Sequence, residues 1–188
     1  MNGFIDWIYS IDFSILDWIA ENLRCAFLDV FLPAVTFLGE GGWFWIATAV
    51  IMLFFKKTRR TGLMMGMALV CGLLVCNMFL KPVVARVRPY DMRPIENLLV
   101  EPLHDFSFPS GHTIASFEAA IVLLIRDKRF GIPATVLAVL IAFSRLYLYV
   151  HYPTDVLVSV ILGTAFAFLS VFTVNKIYER FESKEKLN

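Results

Sequence analysis

The sequence predicts an all-α membrane protein: a bundle of six transmembrane helices with an N-terminal interfacial amphipathic helix. Three observations predict this fold class. Hydrophobic residues make up 59% of the 188 positions, the mean hydropathy is +0.70, and long apolar stretches recur six times. No repeat, low-complexity tract or long linker divides the sequence, so we expect one domain over residues 1–188.

The first predicted element is an interfacial helix within residues 1–23. Its apolar side chains recur at roughly helical spacing among acidic residues, at Ile8, Ile11, Ile15, Trp18 and Ile19. That pattern is typical of a helix lying along a membrane surface, and a short surface helix without lipid contact is the alternative. No basic stretch opens the sequence, so we do not expect a signal peptide.

A six-helix core is predicted over residues 24–175, with spans at 25–39, 43–55, 62–80, 113–125, 132–150 and 156–174. A full span needs about 20 residues, so the first, second and fourth must recruit flanking residues or begin below the membrane surface. Cys25, Cys71 and Cys76 fall within spans without metal-ligand spacing, and we expect small core residues there.

Positive charges predict the orientation. They cluster between spans two and three, between spans four and five, and after span six, at Lys56, Lys57, Arg59 and Arg60, at Arg126, Lys128 and Arg129, and at Lys176, Arg180, Lys184 and Lys186. Such segments are typically cytoplasmic. Both termini, including a tail over 176–188, should then lie on the cytoplasmic side of the cell membrane. Loops 40–42, 81–112 and 151–155 should lie on the opposite, extracytoplasmic side.

The predicted outer loop 81–112 is itself rich in cations, at Lys81, Arg86, Arg88 and Arg93. If these residues only marked orientation, they would contradict the topology. We therefore expect them to bind something anionic.

Three polar clusters at ends of spans carry the candidate chemistry. KPVVARVRP contains Lys81, Arg88 and Pro89, PSGH contains Pro109, Ser110, Gly111 and His112, and SRLYLYVHYPTD contains Ser144, Arg145, His151 and Asp155. In residue type, spacing and order these clusters resemble the three motifs of the type 2 phosphatidic acid phosphatase family. The resemblance covers residues 81–155 and the six-helix layout, and it implies a lipid phosphatase without a metal or other cofactor.

The residue types favour phosphoryl transfer on physical grounds as well. Negative charge spreads over the phosphoryl oxygens during displacement, and Lys81, Arg88 and Arg145 would bind it. Each unit charge pair at about 4 Å is worth on the order of 4 kcal/mol at an effective dielectric constant of 20, before desolvation. Because three converging cations repel one another, an empty site should hold an anion or be destabilised.

The PSGH cluster predicts an anion cradle at a helix start. Ser110 is a natural N-cap for a helix beginning near Thr113, Gly111 permits close backbone approach, and the first N–H groups point at the ligand. Ser110 and Gly111 are therefore candidate phosphate-binding residues.

His151, His112 and Asp155 are the candidate catalytic residues. His151 and Asp155 are four positions apart, a spacing at which a carboxylate can orient an imidazole. We expect His151 to be the nucleophile that forms a phosphohistidine, and His112 to be the general acid and then the base. Two histidines in opposite protonation states predict a bell-shaped pH dependence.

Several residues stay open to simpler interpretations. The third histidine, His104, fits no motif and is expected in a loop, while Asp29 and Glu118 are ionisable groups at membrane depth. Arg86 and Arg93 would contact a second phosphate, lipid headgroups or solvent. Gly62 and Gly66 favour helix packing within the bundle, with a homodimer through that face as the alternative.

Lipid phosphates are the expected partners, together with membrane lipids. The resemblance implies phosphatidic acid, phosphatidylglycerol phosphate or isoprenoid diphosphates such as undecaprenyl diphosphate, and the compact chain with an outward site favours the last. A lipid phosphotransferase using the same site is an alternative. A non-catalytic lipid-phosphate binding or transport protein is another, although binding alone requires no nucleophile.

Overall fold

The computed structural model describes residues 3–95 and 97–185, and the regular structure in these ranges is helical, with no strand among them. The helices are α1 (Gly3–Asn22), α2 (Ala26–Phe37), α3 (Trp43–Phe54), α4 (Arg59–Gly72), α5 (Lys81–Val84), α6 (Pro89–Met92), α7 (Gly111–Arg126), α8 (Lys128–Tyr147) and α9 (Pro153–Glu185). The predicted all-α class is confirmed. Residues 186–188 of the predicted tail, and residues 1–2, lie outside the described ranges.

Two irregular helical segments join these elements. A 3₁₀ turn, Glu40–Gly42, separates α2 from α3, and a π-helical segment, Leu73–Leu80, continues α4 into α5. π-Helical turns widen a helix locally and are frequent at functional sites. This one ends directly before Lys81, the first residue of the KPVVARVRP motif.

Helix α7 lies in the core, where it packs against α4, α8 and α9. Ala119 and Ala120 of α7 and Ala138 of α8 are fully buried, so small side chains let these helices approach closely. The buried Nε1 of Trp45 in α3 donates a hydrogen bond to Ser116 of α7 at 3.0 Å. Packing on several sides therefore fixes α7 and the histidine in its first turn.

Among the described residues, four helical stretches are long and apolar enough to cross a membrane: Ala26–Phe54, Arg59–Met92, Lys128–Tyr147 and Pro153–Ser183. Large apolar side chains on the outside are exposed, such as Phe54 at 77% and Phe172 at 64%. Such surface is expected where helices face lipid. The chain is therefore a multi-pass membrane protein.

The three short predicted spans correspond to α2, α3 and α7, of 12, 12 and 16 residues. At 1.5 Å per residue they are about 18, 18 and 24 Å long, shorter than a hydrocarbon core of roughly 30 Å. The six-span count therefore stays a prediction.

The N-terminal segment forms a helix, α1, one face of which packs on the protein. Phe13, Leu16 and Ile19 are buried in a cluster with the tyrosines near the end of α8. Ile15 and Trp18 of the predicted apolar stripe remain exposed, at 41% and 56%. Helix α1 therefore docks mainly through a different face from the one the spacing emphasised.

The cysteines and the glycines of α4 differ in how they pack. Cys25 is exposed just before α2, so the prediction that all three cysteines are core residues is wrong for Cys25, whereas Cys76 is buried. Gly62 of α4 approaches α3 so closely that a Cβ there would lie 2.7 Å from the carbonyl oxygen of Ala49. Gly62 thus packs within one chain, while Gly66 faces open space.

Candidate active site

Residues of all three motifs line one cavity of about 570 Å³. They are Lys81, Arg88, Gly111, His112, Arg145 and His151. The rest of the cavity wall is mostly apolar and comes from α3, α4 and the π-helical segment, including Ile46, Val50, Leu69 and Leu73. The cavity therefore joins a cationic end to an apolar body, as a lipid with a charged headgroup would require.

Element ends deliver the motif side chains. Lys81 is the first residue of α5, and Arg88 precedes α6 in extended backbone. His112 is the second residue of α7, and Arg145 lies in the last turn of α8. His151 lies in the turn between α8 and α9, so a different segment positions each group.

An acidic side chain already lies between two of the cations. Asp105 forms ion pairs with both Lys81 and Arg88, the latter at 2.5 Å. Burial alone would raise the pKa of Asp105, but the contacts with Lys81 and Arg88 outweigh it and lower the pKa to about 2. The anion that an empty cationic site requires is thus supplied by the chain itself.

The third cation, Arg145, is almost completely buried at 2% exposure. Its Nη1 donates to Oγ1 of Thr36 in α2 at 2.7 Å, while its Nε has no partner among the described residues. Arg145 lines the cavity, and a buried guanidinium with a free donor is suited to bind an anionic oxygen.

His151 has two distinct sides. On the cavity side its Nε2 lies 3.4 Å from Nη1 of Arg88, and because a guanidinium can only donate, Nε2 is the acceptor. On the inner side its Nδ1 lies 3.4 Å from Oγ of Ser107 and 3.7 Å from Oδ2 of Asp155. This arrangement places the Nδ1 proton towards the acid and leaves the Nε2 lone pair towards the cavity.

Ser107 is inserted between His151 and Asp155. Its Oγ donates to Oδ2 of Asp155 at 2.5 Å, and the backbone N–H of Tyr152 donates to the same oxygen at 3.0 Å. The pair predicted from the four-residue spacing is therefore close, but a hydroxyl shares the carboxylate.

The charge state of His151 follows from its surroundings. Burial lowers its pKa to about 4, an effect that Asp155 opposes and that Arg88 and Arg145 reinforce. Neutral imidazole is the form that can attack phosphorus.

His112 reaches the same cavity from the other side. Its Nε2 lies 3.6 Å from Oε2 of Glu40 in the 3₁₀ turn, and it makes no hydrogen bond within the described residues. Burial lowers the pKa of His112 to about 2, and the nearby cations Arg145, Lys81 and Arg88 reinforce this effect, so the imidazole is neutral near pH 7. The imidazole packs so closely on Gly39 that a Cβ there would lie 2.8 Å from its Cδ2.

The start of α7 differs in detail from the prediction. Ser110 is the N-cap residue, but the helix begins at Gly111 rather than near Thr113, and the side chain of Ser110 makes no capping hydrogen bond. Its hydroxyl accepts from Oγ1 of Thr113 at 2.9 Å, and its N–H donates to Oγ of Ser159 at 2.8 Å. Ser110 is fully buried and is not among the residues lining the cavity, whereas Gly111 and His112 line it.

Arg86 and Arg93 both form ion pairs with acidic residues of α1. Arg86 pairs with Asp12 at 2.7 Å and with Asp155 at 2.5 Å. Arg93 pairs with Asp17 at 3.2 Å and covers the ring of Phe13. Arg86 is therefore a buried, paired charge and not a solvated one. Arg93 keeps 56% of its side chain exposed, which agrees with a solvated loop charge, and contacts of either arginine with phosphate or lipid stay a prediction.

Sequence reasoning missed Asp12, Glu40, Asp105 and Ser107. Asp105 and Ser107 lie directly before the PSGH motif, a position that could have drawn attention to them. Asp12 lies on the packed face of α1, 74 residues from its partner Arg86, and no local pattern joins the two.

The remaining polar candidates lie in three different environments. Asp29 accepts a hydrogen bond from Tyr147 at 2.6 Å. Glu118 lines the same cavity and is buried against Gly72, and its Oε1 has no partner among the described residues. His104 is an exposed loop residue, as expected. No group of three or more potential metal ligands occurs in the part of the chain that the structure describes.

A multi-pass helical bundle whose cavity gathers cations around two imidazoles is the architecture of a membrane phosphatase. The sequence profile of the PAP2 superfamily matches residues 60–179, and the chain belongs to that superfamily. The resemblance seen in the motifs is thereby confirmed, and the chain is a phosphatase.

Known relatives agree with this assignment. The chain is 35% identical over 140 residues to the undecaprenyl-diphosphatase of Sulfolobus acidocaldarius, which covers 73% of this chain and 68% of that protein. It is 33% identical over 181 residues to phosphatidylglycerophosphatase B of Bacillus subtilis, covering 88% and 84%. The crystal structure of LpxE from Aquifex aeolicus superposes with a TM-score of 0.76 at 28% identity, covering 86% of this chain and 94% of that one.

Proposed function

We propose that this enzyme hydrolyses a lipid phosphate or isoprenoid diphosphate through a phosphohistidine formed on His151. One observation carries the proposal: His151 lines a cavity together with Lys81, Arg88 and Arg145, with its Nε2 3.4 Å from Nη1 of Arg88 and its Nδ1 towards Ser107 and Asp155. A nucleophile with a fixed tautomer at the edge of a cationic site is what displacement at phosphorus needs.

In the first step the Nε2 lone pair attacks phosphorus, and the bond from phosphorus to the leaving oxygen breaks. His112, which is protonated once the negative charge of the bound substrate offsets the site's cations and raises its pKa, gives its proton to that oxygen. The carboxylate of Asp155 stabilises the positive charge on the phosphorylated imidazole. In the second step His112 takes a proton from water, whose oxygen attacks phosphorus. The bond from nitrogen to phosphorus breaks, and its electron pair returns to Nε2, which restores neutral His151.

Arg88, Lys81 and Arg145 hold the phosphoryl oxygens in this scheme, with N–H groups at the start of α7 near Gly111. Their contribution is electrostatic, since they surround the charge that spreads over the oxygens during displacement. For the phosphate to reach Lys81 and Arg88 it must displace or approach Asp105.

Undecaprenyl diphosphate is the first substrate we propose, with phosphatidylglycerol phosphate and phosphatidic acid as the others. The relatives named above include an undecaprenyl-diphosphatase and a phosphatidylglycerophosphatase. The apolar body of the cavity favours a hydrocarbon tail over a soluble phosphate ester.

We further propose that the bundle crosses the membrane six times with the cavity on the extracytoplasmic face and both termini inside. Helix α7 begins at the cavity and ends at Arg126. The length of α7 therefore separates the cavity from the cationic segment of Arg126, Lys128 and Arg129 by roughly 22 Å along the helix axis. The exposed Ile15 and Trp18 of α1 support an interfacial position for that helix.

The nucleophile is tested by exchanging each of two histidines for alanine. His151→Ala should abolish phosphate release and acid-labile phosphate labelling of the protein. His104→Ala, in an exposed loop outside the motifs, is the matched control and should retain both. Retained labelling in His151→Ala would assign the nucleophile to another residue.

The substrate is tested with purified protein in detergent, the three lipid classes and an added chelator. Phosphate release from at least one lipid is expected, with the preferred lipid showing the highest kcat/KM. Loss of activity only with chelator would contradict the metal-independent reaction. A phosphorylated acceptor lipid without free phosphate would favour the phosphotransferase, and binding without turnover would favour a carrier. A homodimer through the Gly62 and Gly66 face would appear as dimer-specific cross-links.

A further inference from the structure

A buried charge network behind His151 begins in the N-terminal helix. Asp12 of α1 is fully buried. Its Oδ1 accepts from the N–H of Thr154 at 3.0 Å, and its Oδ2 accepts from Oγ1 of Thr154 at 2.6 Å and from Nη2 of Arg86 at 2.7 Å. Asp12 thus binds both the first turn of α9 and an arginine of the loop after α5.

Arg86 connects this acid to Asp155. Its Nη1 donates to Oδ1 of Asp155 at 2.5 Å and to Oγ1 of Thr154 at 2.7 Å. The side chain of Arg86 is only 11% exposed, and that of Asp155 is fully buried. One guanidinium therefore bridges two buried carboxylates, a geometry for which the rigid planar fork of arginine is well suited.

The two oxygens of Asp155 have separate tasks. Oδ1 is taken by Arg86, so Oδ2 is the oxygen that turns towards Ser107 and Nδ1 of His151. A partial rotation of the carboxylate would move Oδ1 away from Arg86 and break that bond. The arginine therefore holds Asp155 in the orientation in which it can stabilise the imidazole.

Aromatic rings seal Arg86 from water. Its guanidinium lies 3.8 Å from the ring centroid of Tyr152 and 4.7 Å from that of Tyr9. Charges shielded from water interact strongly, so the net charge of Asp12, Arg86 and Asp155 affects how strongly Asp155 attracts a positive charge on His151. Asp12, Arg86 and Asp155 together carry a net charge of −1. Without Asp12 they would be neutral, and Arg86 would interact with Asp155 alone.

We propose that Asp12 and Arg86 are positioning residues for the proposed phosphohistidine reaction: Arg86 orients Asp155, and Asp12 shares the charge of Arg86 so that Asp155 keeps its negative charge available to His151. The inference rests on the proposed function of His151. It makes α1 part of the catalytic apparatus, although Asp12 lies outside residues 60–179 that match the superfamily profile.

A contact that only tethers α1 would look different. Asp17 of the same helix pairs with Arg93 at 3.2 Å and accepts from the hydroxyl of Tyr149 at 2.6 Å. Both side chains of that ion pair are far more exposed, at 56% and 43%, and neither contacts the site. Asp17→Asn therefore weakens the docking of α1 without changing the charge around Asp155, which makes it the matched control for Asp12→Asn.

The test measures phosphoenzyme formation and steady-state turnover for Asp12→Asn and Asp17→Asn. We expect Asp12→Asn to lower kcat and the rate of phosphohistidine formation by roughly 10- to 100-fold, the range seen when outer partners of functional imidazoles are removed in metal sites. KM should change little, because Lys81, Arg88 and Arg145 are untouched. Asp17→Asn should leave both rates near the wild-type values.

A double-mutant cycle separates positioning from folding. If Asp12 acts through Arg86, then Asp12→Asn adds little further loss of kcat in an Arg86→Gln background. Rates are normalised to the amount of protein that becomes labelled at saturation, so a fraction of unfolded enzyme does not count.

Three results would overturn the inference: equal losses in Asp12→Asn and Asp17→Asn, a loss confined to KM, or additive losses in the double variant. Failure of the proposed function is recognised separately, because His151→Ala would then still form a phosphoenzyme, whatever Asp12→Asn does.

Discussion

Asp105→Asn tests the idea that the chain supplies its own anion to the phosphate site. Asp105 contacts both Lys81 and Arg88, and its low pKa of about 2 means that it is charged at any assay pH near neutrality. A phosphate entering the cavity is repelled by this carboxylate and competes with it for the same two cations. Removing the charge should therefore tighten phosphate binding.

The magnitude follows from the two ion pairs. A unit charge pair at 4 Å is worth about 4 kcal/mol at an effective dielectric constant of 20, but exposed pairs contribute at most about 1 kcal/mol once solvent is included. The side chain of Asp105 is 53% exposed, so the lower figure applies to each contact. About 2 kcal/mol in total corresponds to an affinity gain of about 30-fold.

The assay is competitive inhibition of lipid phosphate hydrolysis by inorganic phosphate at constant pH and ionic strength. The inhibition constant for Asp105→Asn should fall by up to about 30-fold, and KM should fall with it. Asp91→Asn, which changes an exposed acid of α6, is the control for a general change in surface charge. An unchanged or weaker phosphate affinity in Asp105→Asn would refute the competition. It would indicate instead that Asp105 holds Lys81 and Arg88 in position for the phosphate.

Two further predictions concern the histidines. Only neutral His151 can attack, and burial lowers its pKa to about 4, so kcat/KM should fall as the pH drops through about 4 and not near 6.5. Comparing two substrates whose phosphates have different pKa values separates the titration of the enzyme from that of the substrate. A fall of kcat/KM near pH 6.5 in folded enzyme would contradict the assignment. Gly39→Val should displace the imidazole of His112 and lower kcat by about 100-fold per shift of about 1 Å. Steady-state kinetics measure this effect against Gly3→Val, where nothing lies nearby, and equal kcat values would contradict it.

Helix positions were predictable from hydropathy because apolar stretches mark what is buried in lipid or protein. The predicted span 113–125 corresponds to Gly111–Arg126, and the span 43–55 corresponds to Trp43–Phe54. The ends were less predictable: Lys128 and Arg129 are polar, yet they begin α8, since a helix continues into water wherever its backbone bonds permit. Hydropathy likewise gave no sign of the π-helical segment Leu73–Leu80.

The cavity residues were predictable because the spacing of the motifs reports on element ends. Lys81, His112 and His151 lie where helices begin or turn, and packing brings these ends together. The environment of His151 was not predictable, since its partners come from other segments. Ser107 belongs to the loop before α7, and Asp12 belongs to α1, so each contact exists only after the chain has folded.

The two acid-cation groups of the site differ in how firmly they are held, and this difference fits their chemistry. Asp105 is half exposed on a loop, so it can leave Lys81 and Arg88 when a phosphate arrives. Asp155 is fully buried and bound by Arg86, Ser107 and a backbone N–H, so it cannot leave His151. An anion that must exchange with substrate has to be mobile, whereas an anion that stabilises a developing imidazolium must be fixed before the reaction begins. The two requirements explain why Lys81 and Arg88 pair with a loop acid, whereas His151, the proposed nucleophile, lies against a network that reaches into α1.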